Sequence, residues 1–370
     1  MTLCEAPLWN SEKVKGEKNM KCSVVILSWN AEGLLRQFLP NVMQCTHLKD
    51  GEDYEVVVAD NGSDDGSVAY VESLMANDVT AMPLRIVRFN ENKGYAEGYN
   101  MALREIDAEY SVLLNNDVEV TDGWLEKMVE YMDAHPECAA CQPKLMSLKE
   151  RSHYEYAGAC GGFLDRYGYP FCRGRIFSTI EEDHGQYDDD VPLLWATGAC
   201  LMVRTREFFE VGGLDGRFFA HMEEVDLCWR LRCRCREVRC VSGSLVYHKG
   251  ASTLASSNPR KTFLNFRNSL LTLYKNLPDS ELRHVMARRR VLDTVAAISF
   301  LLKGEGENFH VVFDAWREMR AMLKDFESDR LANIAAATAA GNPQMEVPER
   351  KNIHLVARYY LGRRKLFSEL

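Results

Sequence analysis

Polar side chains follow three apolar stretches of the chain, at the point where each stretch ends. These stops are Ser28 with Asn30, Asp60 with the turn Asn61-Gly62-Ser63, and the triplet Asn115-Asn116-Asp117. Buried parallel strands read as continuous apolar runs, and such sheets bind their ligands beyond the carboxyl ends of the strands. A short acidic turn after a buried strand suits a hard divalent cation that carries substrate phosphates. The three stops therefore favour a transferase that uses a nucleotide substrate.

The elements that would position these stops alternate between strand and helix. Apolar runs predict strands near 22–28, 54–60, 84–89 and 110–115, at the spacing of βαβ units. Apolar residues at helical intervals predict a helix from Gly33 to Cys45, and capping residues predict further helices after Ser67 and after Thr121. The predicted fold class is α/β, with a mostly parallel central sheet flanked by helices.

The character of the chain changes at Pro259. Apolar and basic residues recur there at near-helical spacing and predict an amphipathic helix with a basic flank. Two more helices are expected, over the apolar run Val291–Leu302 and from about Phe309 to Phe326. The apolar run is interrupted by Asp293 and is too short to cross a bilayer. Its basic neighbours favour either an anionic membrane surface or packing against protein.

Six motifs occur in a fixed order along the chain. They are Ser28-Trp29-Asn30, Asp60 to Ser67, Asn92-Lys93-Gly94-Tyr95 with Asn100, Asn115-Asn116-Asp117, Gly198-Ala199 and Glu223 to Arg230. In this order they resemble the family 2 inverting glycosyltransferases of the GT-A fold, and most closely the rhamnosyltransferase-like branch that builds bacterial surface polysaccharides. The resemblance covers residues 21–275. It implies a Rossmann-like GT-A sheet that binds a nucleoside-diphosphate sugar.

The resemblance also implies the donor contacts. Asp60 would bind the pyrimidine ring, and Ser28 and Asn30 would face the base and the ribose. The diphosphate and the donor sugar would meet Asn92, Lys93, Gly94, Asn116, Gly198 and Ala199. Simple turns are the competing interpretation for Asn61-Gly62 and for the 92–95 segment, and we favour it for Asn61 itself.

A divalent metal, Mg²⁺ or Mn²⁺, is the implied cofactor, because charge that develops on a leaving phosphate must be neutralised. Asp117 is the predicted ligand. The family usually has Asp-x-Asp at this turn, whereas this chain has Asn115 at the first acidic position, which leaves one charge fewer for the metal. His248 ends another apolar run and resembles a histidine that approaches the metal or the diphosphate. A purely structural histidine is the alternative.

The family's general base is the aspartate of a Glu-Asp pair at the start of a helix. The matching positions here are Glu223 and Glu224, so Glu224 is the predicted base. Its side chain is one methylene longer than the usual residue, which leaves Glu223 as the alternative. Supporting roles are expected for Asp226, Trp229 and Arg230 on the same helix. Asp226 would orient Arg230 or a loop, or would simply favour the helix dipole.

Composition constrains the partners and the compartment. The net charge of −9 argues against a nucleic-acid partner, whose phosphates would require a basic face. The chain has twelve cysteines, but its first twenty residues are charged and lack the apolar core of a signal peptide. Reduced thiols in the cytoplasm are therefore expected, and the cysteine clusters at 138–141 and 228–240 lack zinc-site geometry.

Three regions are expected: an N-terminal leader at 1–20, a GT-A catalytic domain at 21–258, and a C-terminal helical region at 259–370 that associates with membrane or oligomerises. The expected activity is inverting transfer of a hexose or deoxyhexose from dTDP-rhamnose or a UDP-sugar. A glycan or a lipid-linked glycan would be the acceptor, and the enzyme would be cytoplasmic or peripheral at the inner face of the cytoplasmic membrane.

Three other classes of protein compete with this interpretation. A non-catalytic scaffold of a polysaccharide assembly complex would be favoured by loss of the acidic groups at 117 and 224, and both positions are acidic. A nucleotidyltransferase of the same fold would need a glycine-rich basic signature near the amino terminus, and residues 1–33 have none. A nicotinamide-dependent oxidoreductase would need Gly-x-Gly-x-x-Gly after the first strand, which is also absent.

Overall fold

A computed structural model of the chain describes residues 20–76, 84–250 and 258–370. Its strands are β1 (Met20–Ser28), β2 (Tyr54–Asp60), β3 (Leu84–Arg88), β4 (Ala108–Asn115), β5 (Val118–Val120), β6 (Cys138–Ser147), β7 (Gly162–Asp165), β8 (Pro170–Cys172), β9 (Arg175–Ile176), β10 (Thr179–Ile180), β11 (Cys200–Arg204), β12 (Glu237–His248) and β13 (Arg350–Lys351). Its helices are α1 (Glu32–Cys45), α2 (Ser67–Ala76), α3 (Gly94–Arg104), α4 (Trp124–Ala134), α5 (Thr205–Glu210), α6 (Glu223–Cys233), α7 (Pro259–Asn276), α8 (Asp279–Leu302), α9 (Gly306–Ala339) and α10 (Leu355–Tyr360).

The main sheet has the strand order β3-β2-β1-β4-β11-β6-β12-β5. Its first four strands are parallel, and β11 enters antiparallel between β4 and β6. The central strands are buried over almost their whole length because helices cover both faces of the sheet. All four parallel strands end at one edge, so Ser28, Asp60 and Asn115 come to the same side of the molecule.

The α/β fold and the four predicted strands are confirmed, with shifts of no more than two residues at their ends. The predicted helices after Gly33, Ser67, Thr121 and Pro259 are also present. The sequence predicted that α9 would end at about Phe326, whereas the helix continues to Ala339. It also missed α3, whose backbone begins at a glycine with φ of 77° instead of at a capping side chain.

A second, smaller sheet has the order β10-β9-β8-β7-β13. Its last strand belongs to the C-terminal region and pairs in parallel with β7. The C-terminal helix α7 packs on α6 of the preceding region, and α9 packs on α7. Region 259–370 thus shares both a sheet and a helix interface with the rest of the chain, while the predicted division into domains stays a prediction.

Two further expectations concern cysteines and membranes. The described cysteines are free thiols, and most of them are buried. Within the described residues, no helix is long and apolar enough to cross a bilayer. The predicted leader lies outside the described residues except for Met20, which begins β1.

Candidate active site

Ser28 and Asp60 end the neighbouring strands β1 and β2 and lie opposite each other in the sheet register. Both side chains are buried, yet Ser28 Oγ and Asp60 Oδ1 have no hydrogen-bond partner within the described chain. Buried polar groups in folded proteins are nearly always hydrogen-bonded. These two atoms are therefore available to a ligand at the carboxyl edge of the sheet.

Asn30 connects the two loops that follow these strands. Its backbone lies in the left-handed region at φ 45°, and its side-chain oxygen accepts a hydrogen bond from the backbone N–H of Asp64 at 2.9 Å. The backbone N–H of Asn30 donates to Ser63 Oγ at 2.9 Å. Asn30 thus fixes the edge of the site, and its contact with a donor stays a prediction.

The loop at 92–94 is held by Asn61, for which the sequence favoured a simple turn. Asn61 Nδ2 donates to Asn92 Oδ1 at 3.1 Å and to the carbonyl of Gly94 at 3.0 Å, while its Oδ1 accepts from the backbone N–H of Lys93. Gly94 has φ of 77°, and a Cβ there would lie 2.6 Å from the ring of Phe219. The side chain of Lys93 pairs with Glu91, so this lysine is held at the surface.

Gly198 and Ala199 lie beside the end of β4. The carbonyl of Ala199 accepts a hydrogen bond from the N–H of Asn115 at 2.9 Å, and the carbonyl of Gly198 accepts one from the hydroxyl of Tyr95 at 2.5 Å. A Cβ on Gly198 would lie 2.9 Å from that hydroxyl. The segment therefore links α3 to the acidic turn after β4. Asn116 in that turn is partly buried.

Asp117 and His248 are brought together by strand pairing. β12 runs antiparallel to β5 with His248 opposite Val118, the residue after Asp117. His248 Nε2 lies 3.0 Å from Asp117 Oδ1, and His248 Nδ1 lies 3.4 Å from Glu155 Oε2. All three side chains are buried. Burial alone would lower the pKa of His248, but its hydrogen bonds to Asp117 and Glu155 outweigh burial and raise it to about 10.

The chemistry of Asp117 and His248 fits a divalent cation. Two neighbouring ligands on an octahedral ion, each about 2.1 Å from the metal, lie about 3.0 Å apart. The separation of Nε2 and Oδ1 matches that spacing, and a bound cation would have to displace the proton of their hydrogen bond. Among the described residues no group of three or more His, Cys, Asp or Glu side chains is arranged to hold a metal. Water and substrate phosphates would supply the other ligands, as is common for Mg²⁺.

Glu223 and Glu224 form the first turn of α6. Glu223 is buried and Glu224 partly so, and one carboxylate oxygen of each is enclosed without a hydrogen-bond partner in the described chain. Burial raises the pKa of both groups, to about 7 for Glu224, and the charge of Glu224 raises that of Glu223 further. The pKa of Glu223 is raised more than that of Glu224, so Glu224 is the member of this pair that ionises more readily.

Tyr95 lies between this pair and the rest of the site. Burial raises the pKa of the Tyr95 hydroxyl well above its usual value. Nearby Tyr99 and the charges of Glu223 and Glu224 raise this pKa further. The same hydroxyl donates to Gly198, which leads through Ala199 to the end of β4. Hydrogen bonds through Tyr95, Gly198 and Ala199 thus connect α3 to the end of β4, the strand that precedes the predicted metal ligand.

The loop before Glu223 has an unusual backbone. Phe219, His221 and Met222 all have positive φ, between 67° and 73°. Asn268, a fully buried residue of α7, donates its side-chain amide to the carbonyls of Phe218, Ala220 and His221 at 2.8 to 3.0 Å. Residues other than glycine adopt such a backbone only when their surroundings impose it. Asn268 is therefore a positioning residue for the glutamate pair.

Asp226 connects the same helix to α7. Its carboxylate binds Arg230 at 2.9 Å, Lys275 at 2.8 Å and Asn276 at 2.8 Å in a fully buried cluster. Burial alone would raise the pKa of Asp226, but Lys275 and Arg230 hold it below its ordinary range. Arg230 also donates to backbone carbonyls of the preceding loop. Trp229 is buried on the same helix, and its indole N–H has no partner in the described chain.

Sequence reasoning missed several residues that shape the site, namely Asn61, Tyr95, Glu155, His221 and Asn268. Glu155 and Asn268 carry no local signal, because each acts on a segment about fifty to ninety residues away. Tyr95 stood inside a recognised motif, and His221 immediately precedes the glutamate pair. These two could have been found by asking which side chains flank a predicted base.

Replacement of Asn268 by alanine is expected to lower both the melting temperature and the turnover number. Loss of its amide leaves buried carbonyls unpaired, at a cost of about 1–3 kcal/mol for each lost partner. The loop could then relax and move Glu224. Asn265→Ala is the matched control, because the side-chain amide of Asn265, on the same helix, donates to the carbonyl of Lys261 within α7. Equal effects of the two variants on turnover, measured at saturating donor, would contradict a positioning role.

The mostly parallel sheet, with polar residues at the carboxyl ends of its strands and flanking helices, has the architecture of the GT-A fold. The family model for "Glycosyl transferase family 2" matches residues 23–186. The chain therefore contains a family 2 glycosyltransferase domain.

Named relatives agree with this assignment. The chain is 27% identical over 247 residues to the N-acetylglucosaminyl-diphospho-decaprenol L-rhamnosyltransferase of Mycobacterium tuberculosis, covering 62% of this chain and 76% of the relative. Among solved structures, S. aureus TarS in complex with UDP-GlcNAc superposes with a TM-score of 0.53 at 14% identity, over 93% of this chain and 92% of TarS. GalNAc-T7 with UDP, GalNAc and Mn²⁺ gives 0.55 at 12% identity, over 71% of this chain and 49% of that one.

Proposed function

We propose that this glycosyltransferase moves a hexose or deoxyhexose, with inversion, from dTDP-rhamnose or a UDP-sugar to a lipid-linked glycan. The observation that supports this most directly is a set of buried polar atoms without a hydrogen-bond partner among the described residues, at the ends of β1 and β2 and in the first turn of α6. Within the described chain these include Ser28 Oγ, Asp60 Oδ1, Glu223 Oε2 and Glu224 Oε2. A folded protein tolerates such atoms where a ligand satisfies them.

Ser28 and Asp60 would bind the donor's base and ribose, because both end parallel strands where open α/β sheets bind nucleotides. Asn30, Asn92, Gly94, Asn116, Gly198 and Ala199 would line the path of the diphosphate and the sugar. Lys93 would have to leave Glu91 in order to reach the donor. TarS, which shares this fold, was solved with a UDP-sugar, which is consistent with such a donor.

Asp117 and His248 would hold Mg²⁺ or Mn²⁺, since their oxygen and nitrogen atoms lie at the spacing of neighbouring ligands. When bound, the cation would neutralise charge on the leaving diphosphate. Asn115 is a neutral residue, so Asp117 would carry the ligand charge of this turn. Glu155 would keep His248 in place through its other ring nitrogen.

Glu224 would accept the proton of the acceptor hydroxyl while that oxygen attacks the anomeric carbon of the donor sugar. The bond between the anomeric carbon and the diphosphate oxygen breaks in the same step, and the nucleoside diphosphate leaves from the opposite face. Glu223, whose pKa is raised further, would keep its proton and donate a hydrogen bond rather than remove a proton. Asp226, Trp229 and Arg230 would act through the placement of α6.

A lipid-linked acceptor is supported by the name of the mycobacterial relative, whose substrate is a diphospho-decaprenol. The proposal includes a cytoplasmic site of action at the inner face of the membrane. The free thiols of the described cysteines are consistent with that compartment.

A donor screen tests this proposal. Purified protein would be offered dTDP-, UDP- and GDP-sugars with Mn²⁺ or Mg²⁺ and lipid-linked acceptors, and release of the nucleoside diphosphate would be measured. We expect metal-dependent release from one dTDP- or UDP-sugar, and an inverted linkage in the product by NMR. Absence of binding and release with every donor would contradict the proposal and favour a scaffold.

A further inference from the structure

Helix α8 exposes an unbroken apolar stripe to solvent. Its members are Val291, Val295, Ile298, Leu301 and Leu302, with 46% to 83% of each residue exposed. Positions 291, 295, 298 and 302 follow helical spacing, so they form one line about 17 Å long. Contiguous exposed apolar surface of this kind marks an interaction site.

The one acidic residue within 283–303 does not interrupt this stripe. Asp293 is fully buried and accepts hydrogen bonds from Tyr169 at 2.9 Å, Trp316 at 3.0 Å and Arg289 at 3.2 Å. The hydroxyl of Thr294 donates a hydrogen bond to the backbone carbonyl of Arg290. The sequence interruption therefore faces the core, and the outer face of α8 remains apolar.

Cations border the stripe on its exposed side. Arg283, Arg288, Arg290 and Lys303 are exposed, and no exposed acid lies among residues 283–303. The exposed charges within 283–303 are therefore all positive, in a chain whose net charge is −9. The cations are not needed to neutralise neighbours on α8, so they favour an anionic partner.

A second copy of the chain is a poorer fit for this face. In a two-fold dimer the same patch meets itself, so the arginines of both copies would be brought together. The acids of the first turn of α8 are already paired, Asp279 with Arg330 and Glu281 with Arg350. An anionic lipid surface accepts the apolar stripe in its interfacial layer and the cations among its headgroups.

A second exposed segment has the same composition. Tyr360 and Leu361 are 64% and 84% exposed, and Arg363, Arg364 and Lys365 follow them at the surface. Stable attachment to a membrane usually needs more than one weak contact. Residues 360–365 are a second exposed apolar and basic stretch within region 259–370.

We infer that the outer face of α8 is a docking surface for an anionic membrane, which it contacts with the helix axis parallel to the bilayer plane. The inference does not depend on which sugar is transferred. If the acceptor is lipid-linked, as proposed above, docking would hold the active site close to the acceptor's headgroup.

Vesicle flotation with the full-length protein tests this inference. Phosphatidylcholine vesicles with and without phosphatidylglycerol would be compared, without donor, at low and high salt. We expect binding only to the anionic vesicles, weakened when salt rises from about 0.1 M to about 1 M, because the Debye length falls from about 10 Å to about 3 Å.

Two sets of variants locate the contact. Val295→Ser, Ile298→Ser and Leu302→Ser combined should lower the partition coefficient at least about tenfold. Arg288→Gln with Arg290→Gln should lower it about 25-fold at low salt, about fivefold for each arginine. Leu331→Ser is the matched control, because this residue is 61% exposed on α9, away from the stripe. Its partition coefficient should equal that of the wild type.

Three results would overturn the inference: no vesicle binding, equal and salt-independent binding to neutral vesicles, or equal loss in Leu331→Ser. A dimer in light scattering that the stripe variants dissociate, without vesicle binding, would assign the face to a second copy instead. Melting temperatures confirm that the variants fold. Transfer to a water-soluble acceptor should be unchanged in them, which separates failure of docking from failure of the proposed reaction.

Discussion

Replacement of Glu224 by glutamine is expected to lower the turnover number by about 10²–10⁴-fold, the usual contribution of a general base. Glutamine has nearly the same shape as glutamate but cannot accept the acceptor's proton. Donor binding, measured by calorimetry with the nucleoside diphosphate, should change little. The measurement is single-turnover transfer at saturating donor.

The neighbouring glutamate provides the discriminating control. Burial and the charge of Glu224 raise the pKa of Glu223 well above its usual value, so we expect Glu223 to be neutral when Glu224 is ionised. Glutamine is also neutral, and Glu223→Gln should therefore keep most of the turnover. If the order of the two effects is reversed, Glu223 is the base and the assignment to Glu224 is wrong.

The same pair predicts a pH profile. Burial raises the pKa of Glu224 to about 7, and a base must be ionised to act. The kcat/KM of the wild type should therefore fall as the pH drops through about 7, and it should still fall there in Glu223→Gln. A profile that stays flat down to pH 5 would show that the base has an ordinary carboxylate pKa.

Stability separates loss of chemistry from loss of fold. A carboxyl group whose pKa is raised by folding favours the folded state at low pH, and this contribution is lost as the pH rises through the raised value. Above that pH the wild type must hold an ionised Glu224 in a buried environment, which costs free energy. Glu224→Gln removes this cost. Its melting temperature at pH 8 should not lie below that of the wild type.

The sequence was sufficient to predict the strands and helices that have a regular pattern of apolar residues. Continuous apolar runs ending in polar residues located β1, β2 and β4 and the edge where Ser28, Asp60 and Asp117 lie. Local chemistry also placed Glu223 and Glu224 at the start of a helix. These features are encoded within a few residues of where they act.

Other parts of the site depend on contacts between distant segments. Glu155 reaches His248 because β6 and β12 pair, and Asn268 reaches the loop before Glu223 because α7 packs on α6. The burial of Asp293, which leaves the stripe on α8 unbroken, likewise depends on Tyr169 and Trp316. No pattern within one segment predicts such pairings. The sequence could therefore suggest a membrane contact for this helix but could not distinguish it from packing against protein.

Replacement of Asp117 by asparagine is expected to abolish metal-dependent nucleotide binding and to lower kcat/KM at least about a hundredfold, because metal stabilisation of the leaving phosphate is worth several kcal/mol. Asp117 supplies the carboxylate of a turn in which Asn115 is already neutral, so one substitution removes its ligand charge.

The measurement for Asp117 is Mn²⁺ binding in the presence of UDP or dTDP, followed by electron paramagnetic resonance and independent of turnover. Asp122→Asn is the matched control, because this exposed aspartate lies five residues further along the chain and should leave Mn²⁺ binding unchanged. Asn115→Asp should tighten binding, since added ligand charge raises affinity for a hard cation. If Mn²⁺ binds Asp117→Asn as it binds the wild type, the carboxylate's role is to hold the buried His248, and a loss of thermal stability alone should accompany the substitution.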